Sequence, residues 1–379
     1  MRVLCVTHYF STNGGGIEIV ADRLRSHLRA RGWRVRWLAC SAGSRVTDSR
    51  PIDDDCIAVP AWDGVRLLTD LSFPIFGPGQ LRVVWREVRE ADVVHLHEPY
   101  FPLNQAVLIV AQLLGRPVLL TQHIADMPIR GLVRGRAVGL ANWLLGRPAY
   151  ALSERIVCVG RRTAAQFASW APERLTVIYN GCDSGLFAPC SPGGRPSLRR
   201  QLGLGEEAPV CLFVGRFIEK KGLARLEALA RYRGDVQFVL IGRGPVRPQS
   251  WNLPNVRALA PMRHGQLCGY YQAADALVLP SVGEGFPLVV QEALCAGIRG
   301  VVSSEIIAAC PEAAPLLADA GPGGNRLNEV IDQVLATPLG AQEAAERAAV
   351  AARLWSWDQC ADAYRELFVD IDSRRRKRR

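Results

Sequence analysis

Two glutamates, Glu284 and Glu292, stand in the segment GEGFPLVVQEALCAG (283–297), which follows the apolar run ADALVLPS (274–281). The segment reads as a buried helix entered through a Gly-rich turn. Pro287 suits the first helical position, where a missing N–H costs nothing. The N–H groups of Leu288 and Val289 would then point out of the helix start and, with the helix dipole, form an anion site. Gly285 lets a ligand approach the backbone closely. A carboxylate beside an anion site suits a neutral partner such as sugar hydroxyls. Glu292, further along the helix, suits a ribose diol. Ordinary roles are open to both: Glu284 as a helix cap, Glu292 as the partner of an arginine.

The basic residues add a second observation. Of 46 lysines and arginines only three are lysines (Lys220, Lys221 and Lys377), and two of these are adjacent in GRFIEKKG (215–222). A compact ammonium at that site does what an arginine fork does not. In an open α/β sheet, ligands bind beyond the carboxyl ends of the strands. Three expected strand ends carry suitable residues: Arg216 and Lys221, then GRGP (242–245), then the GEGFP turn.

These residues need a scaffold, and the chain alternates strand, loop and helix. Strands are expected at 2–9, 33–40, 91–99, 116–124, 154–160 and 175–181, with a helix over 17–32. After a Pro-, Gly- and Arg-rich stretch (187–209), whose first part reads as a linker, the rhythm restarts. Strands follow at 210–216, 236–244, 256–261, 276–281 and 300–304, and helices at 221–232, 265–274, 324–337, 344–357 and 358–371. Such alternation implies parallel sheets covered on both faces. At 379 residues the chain exceeds one ordinary core. We expect a first domain at 1–186 joined by helix 358–371, a second at 187–357, and a solvated, disordered basic tail at 372–379.

Composition narrows the class. The chain is 49% hydrophobic and 22% charged. Its eleven cysteines form no C-x-x-C pair, which argues against metal knuckles and redox dithiols and fits a reducing cytosol. MRVLCVTHYF is not expected to be a signal peptide, and no apolar run is long enough to span a membrane. AVLIVAQLLG (106–115) and AVGLANWLLG (137–146) read as core or interfacial helices. Six of the ten net positive charges lie in RRRKRR (374–379). That run favours anionic lipid over nucleic acid, since the body shows no basic stripe with interleaved aromatics. His95 and His97 are read as pointing to opposite faces of their strand, hence as poor co-ligands for a metal. His8 is a further candidate for lining a site.

Taken together, VGRFIEKKG (214–222), VLIGRGP (239–245), LVLPSVGEGFPLVVQEALCAG (277–297) and VIYNGCD (177–183) resemble the family-4 retaining glycosyltransferases. GGGIEIVADRL (14–24), ADVVHLHEP (91–99) and TQHIAD (121–126) extend the resemblance over nearly the whole chain, in the family's order. It implies the GT-B fold: two Rossmann-like domains facing a central cleft, with a C-terminal helix returning to the N-terminal domain. It further implies that Arg216 and Lys221 hold a donor diphosphate, and that Glu284 contacts donor-sugar hydroxyls. Gly285, Phe286, Pro287 and Leu288 would aid sugar and phosphate, and Glu292 would bind the ribose. Gly15 and Gly16 would face the diphosphate and acceptor, and His123 would reach the reacting sugar. No metal or other cofactor is implied beyond the nucleotide sugar itself. The implied reaction is retaining transfer of a hexose to a glycan or lipid-linked acceptor, in bacterial surface-polysaccharide or glycolipid synthesis, in the cytoplasm or peripherally on the inner face of the membrane. Loops 60–80 and 125–137, the latter with Arg130, Arg134 and Arg136, would select the acceptor.

The chain departs from the family beyond residue 298. Arg299 occupies a place where proline is common, SEIIAACPEAA (304–314) lacks the family's glycine pair, and a later strand is missing or compressed between Pro311 and Asn325. Two other readings remain open: a nucleotide-sugar epimerase or hydrolase of the same fold, and a non-catalytic glycan-binding relative. A dehydrogenase is disfavoured, because THYFSTNGGG replaces a tight G-x-G-x-x-G and no acid closes the second strand.

Overall fold

A computed structural model describes residues 1–43, 48–64, 73–124, 140, 142–262 and 264–377. The chain forms two compact units, residues 1–181 with 357–379, and residues 182–356.

The first unit is built on a sheet whose strands are β1 (Arg2–Tyr9), β2 (Arg34–Gly43), β3 (Asp48–Ser49), β4 (Cys56–Trp62), β5 (Ile75–Phe76), β6 (Val93–His97), β7 (Val118–Gln122), β8 (Arg155–Cys158) and β9 (Leu175–Val177). The order is β5-β4-β2-β1-β6-β7-β8-β9, with β3 paired to β2. All pairings are parallel except β2 with β3 and β4 with β5. The central strands β6 and β7 are buried along their whole length, as apolar runs covered on both faces must be. From β1 the chain steps one way to β2 and β4, then returns to lay β6 to β9 on the other side. The order therefore reverses between β1 and β6.

The second unit repeats the plan with β10 (Val210–Val214), β11 (Gln237–Ile241), β12 (Val256–Leu259), β13 (Ala276–Leu279), β14 (Arg299–Val302) and β15 (Leu317–Asp319), in the order β12-β11-β10-β13-β14-β15. Every pair is parallel, and the reversal falls between β10 and β13. The three-residue β15 is the shortened strand expected between Pro311 and Asn325.

Several expectations need correcting. Only the first part of 187–209 reads as a linker; its later part holds an unanticipated helix, Arg195–Gln201, from which Arg199 and Arg195 clamp the Asp275 carboxylate at 2.6 and 2.8 Å. The last helix runs from Trp357 to Lys377 without a break. Residues 372–377 are thus helical rather than a disordered tail, held by Arg374–Asp370 and Arg376–Asp372 pairs one turn apart. This helix belongs to the first unit, where Tyr364 meets Thr121 at 3.1 Å and Arg155 meets Asp370 at 2.8 Å. A helix Leu81–Glu90 was not anticipated, and AVLIVAQLLG (106–115) supplies the last eight residues of helix Pro102–Leu113 and its end. Residues 65–72, and the 125–137 loop with Arg130, Arg134 and Arg136, lie outside the described residues.

Candidate active site

Each sheet reversal leaves a crevice at the strand carboxyl ends, where neighbouring connections diverge to opposite faces. The residues singled out in the sequence converge on these two places, each within its own unit.

In the second unit the loops leaving β10 and β13 are stitched together. The Val282 N–H donates to the Lys220 carbonyl at 2.9 Å. Gly222 has φ +77°, and a Cβ there would sit 2.5 Å from the Pro280 carbonyl oxygen, so only glycine lets the loops meet. Lys221 Nζ lies 3.1 Å from Glu284 Oε1, and Lys220 Nζ lies 3.6 Å from the same oxygen. Burial pushes the Glu284 pKa up, but Lys221, Lys220 and Arg216 outweigh it and hold the carboxyl below its ordinary value. Burial pushes the Lys220 ammonium down against the pull of Glu284, and Lys221 and Arg216 add to the fall. Arg216 itself is exposed at the rim. The site therefore carries three cations around one ionised carboxylate, an excess of positive charge that suits a polyanion.

The expected helix is shorter than the motif, Leu288–Cys295, and Pro287 is its N-cap with extended backbone rather than its first helical residue. The consequence for the anion site is small, because Leu288 and Val289 still supply N–H groups at the helix start. Gly285 and Phe286 are buried in the entry turn, and Phe286 packs on Trp355 with ring centroids 5.3 Å apart. Glu292 is nearly buried, with Oε2 accepting a 2.8 Å hydrogen bond from the Tyr271 hydroxyl. The Gly283 N–H donates to Glu305 Oε2 at 2.7 Å, which ties the turn to the next connection. Arg299, where the family pattern is broken, faces elsewhere: its guanidinium forks onto Glu343 at 2.6 and 2.8 Å and also donates to the carbonyls of Val334 and Thr337. That departure is a packing device at the amino end of β14.

In the first unit Gly15 caps helix Gly16–Ala30, and a side chain at Gly15 would overlap the Glu18 carboxylate. Buried Glu18 pairs with His8 Nε2 at 3.1 Å, and the His8 ring stacks on Phe101 at 3.9 Å between centroids. His123 follows β7, with Nε2 2.9 Å from His97 Nδ1. Burial, then the nearby His8, pushes the His123 pKa down to about 3, so its imidazole is neutral. Its backbone N–H donates to Glu98 Oε1 at 2.5 Å, the Ile124 N–H reaches the same oxygen at 2.9 Å, and the Gln122 amide donates to Oε2 at 2.9 Å. Glu98 precedes a proline yet has φ +68°, a strained conformation of the kind that concentrates at functional sites.

Two residues apart on a strand, His95 and His97 share one face. Their ring centroids are 4.2 Å apart, which corrects the expectation of opposite faces. With Cys5 they form a buried group whose ligand atoms lie within 4.8 Å of one another. Burial holds His95 down at about 3 and His97 well below its ordinary value, and it raises the Cys5 thiol. His95 is already bonded to Thr121 at 2.8 Å and His97 to His123. The group therefore reads as a neutral polar layer beneath the final helix.

Sequence reasoning missed Glu98, Glu18, Tyr271 and Glu305, each of which acts by holding another residue. Glu98, Glu18 and Glu305 stand in the quoted ADVVHLHEP, GGGIEIVADRL and SEIIAACPEAA, but nothing in those stretches singled them out.

Residues 14–186 match the model of Glycosyltransferase Family 4, and residues 208–336 match that of Glycosyl transferases group 1. The chain belongs to the family-4 glycosyltransferases. Among curated relatives of this glycosyltransferase, the D-inositol 3-phosphate glycosyltransferase of Xylanimonas cellulosilytica is 26% identical, over 96% of this chain and 93% of its own. The alpha-maltose-1-phosphate synthase of Mycolicibacterium smegmatis is 30% identical over 57% of this chain and 60% of its own. Among solved structures, Anabaena Alr3699/HepE in complex with UDP-glucose superposes with TM-score 0.74 at 17% identity, covering 98% of this chain and 100% of that one. Sucrose-phosphate synthase from Thermosynechococcus elongatus gives 0.70 at 21%, with the same coverage. These likenesses show the GT-B fold.

Proposed function

We propose that this glycosyltransferase moves a hexose, with retention, from a nucleotide-diphosphate sugar to a glycan or lipid-linked acceptor in bacterial surface-polysaccharide or glycolipid synthesis. The observation that carries the reading is the convergence of Lys220, Lys221 and Arg216 on Glu284 at the β10/β13 reversal, beside a helix N-terminus. As the bond between the anomeric carbon and the diphosphate oxygen breaks, negative charge grows on the leaving group. Arg216, Lys221 and the N–H groups of Leu288 and Val289 meet it in place of a metal ion. The acceptor hydroxyl attacks the same face of the sugar, and its proton passes to the departing phosphate oxygen. Glu284, kept ionised by the lysines, accepts hydrogen bonds from sugar hydroxyls, and Glu292 accepts them from the ribose. Neutral His123 serves as a hydrogen-bond donor to the reacting sugar. The two glutamates do not form a glycosidase acid and nucleophile pair, because each serves a different part of the donor.

UDP-sugars are the first donors to test, since a structural neighbour was solved with UDP-glucose. The names of the curated relatives make an inositol phosphate the first soluble acceptor to try. The experiment is product analysis with and without acceptor. Anomer-retained transfer product supports the proposal. Free UDP with an epimerised sugar, formed without acceptor, would assign the chain to the epimerase or hydrolase class instead.

A further inference from the structure

Helices Leu81–Glu90, Pro102–Leu113 and Arg147–Leu152 cover one face of the first unit's sheet, with Pro102–Leu113 packed against both of the others. They share that face because the crossovers into β6, β7 and β8 all step the same way and are right-handed. Their inner sides, including Val84, Val88, Leu103, Val107 and Tyr150, join the core. Their outer sides are unusual for a soluble protein. Trp85, Ile109, Leu113 and Leu152 on these helices are exposed, as are Trp143 and Leu144 on the helical turn Asn142–Gly146 that leads into Arg147–Leu152, Leu113 by 69% and Trp143 by 60%. Ile109 and Leu113 stand one turn apart, so the apolar positions form a stripe rather than scattered points.

The distribution over the molecule is lopsided in two respects. Of fifteen exposed large hydrophobic side chains among the described residues, thirteen belong to the first unit and two, Tyr232 and Val282, to the second. The first unit also carries 29 Lys and Arg against 20 Asp and Glu, whereas the second carries 17 against 16. The net charges are thus +9 and +1. On the face itself, Arg82 and Arg89 flank Trp85 and have no carboxylate partner among the described residues, while Glu87 and Glu90 of the same helix are held by Arg36.

Exposed tryptophans and aliphatics between arginines match the boundary of lipid headgroups and acyl chains, where aromatic rings sit half-wet and guanidinium stems reach out to phosphate. A second copy fits less well, because a two-fold contact would set these arginines against their own equivalents.

We propose that this three-helix face docks the protein on an anionic bilayer, with Trp85, Ile109, Leu113, Trp143 and Leu144 entering the headgroup region and Arg82 and Arg89 meeting lipid phosphates. The inference deepens, and rests on, the reading of a lipid-linked acceptor at a membrane. Its test involves no sugar transfer, so the two fail separately.

The full chain is floated with vesicles of phosphatidylcholine alone or mixed with phosphatidylglycerol. It should float with the mixed vesicles and be released in part by salt. Ile109→Ser with Leu113→Ser should weaken partitioning by about tenfold or more. Arg82→Gln with Arg89→Gln should remove the preference for the anionic vesicles. Both variants should keep the parent's thermal shift with UDP, which confirms folding. Undiminished flotation of both variants would assign binding to the C-terminal arginines and overturn the proposal. So would a parent that ignores vesicles, whether monomeric in sedimentation or a dimer that Leu113→Asp dissociates.

Discussion

Replacing Lys221 by methionine removes one of two ammoniums from Glu284 and one cation from the proposed diphosphate site. These losses have separate signatures. Stripping a buried carboxylate of its partner costs about 3–5 kcal/mol. Here Lys220 remains 3.6 Å from the same oxygen, so we expect a destabilisation of about 2 kcal/mol. Losing a charge-assisted hydrogen bond to phosphate weakens nucleotide binding by about 1.5–3 kcal/mol, or roughly 10- to 150-fold in Kd. Glu284→Gln acts differently. Its carboxylate competes with phosphate for both lysines, so neutralising it should leave UDP affinity unchanged or tighter. Turnover should nevertheless fall by roughly 10²-fold, because the ionised acceptor for sugar hydroxyls is gone. Calorimetric titration with UDP, GDP and ADP, run beside turnover and urea unfolding, separates the cases. If Glu284→Gln weakened nucleotide binding as much as Lys221→Met while turnover stayed at the parent's level, the assigned division between cations and carboxylate would be refuted.

Three further outcomes are expected. His123→Ala should lower turnover by roughly 10²-fold at unchanged nucleotide affinity; because burial and His8 hold His123 at about 3, the parent's rate profile above about pH 5 should show no limb that this variant removes. Burial raises Glu98 to about 7 from an ordinary 4.5, against the donors of His123, Ile124 and Gln122. Its contribution to stability is therefore full below pH 4.5 and lost as pH rises through 7, a change of up to about 3 kcal/mol. Urea unfolding across that window should slope less in Glu98→Gln, and equal slopes would count against the buried charge. Arg299→Ala, which frees Glu343 and two carbonyls, should destabilise the protein by about 2–3 kcal/mol while KM for the donor holds. A raised KM would return Arg299 to the donor site.

Strand positions were legible because parallel strands buried on both faces are short apolar runs, and β1, β6, β10 and β13 stand out on that ground. Their ends were less so, since an apolar run does not mark where hydrogen bonding stops. β13 closes at Leu279, two residues before the end of the run (276–281) it was read from. Helix Leu81–Glu90 escaped notice because half its residues are arginine and glutamate, and its only buried apolar residues are Val84 and Val88.

The sequence by itself determined the inventory of the site: two lysines in an arginine-rich chain, a glycine-proline turn, one glutamate in that turn and one in the helix it opens, and a histidine at a strand end. These are local facts of residue type and spacing, and chemistry restricts what such a set can do. Only the tertiary structure decided which groups share an oxygen. Lys220 and Lys221 meet Glu284 because the strands before them are neighbours across the reversal of the sheet, although about sixty residues of chain intervene. The same holds for Glu98, whose carboxylate reaches the backbone of His123 from the adjoining strand, and for Arg299, turned toward Glu343 and away from the donor residues. Sequence separation carries no information about such contacts, because the register of parallel strands is set by the packing of the whole sheet.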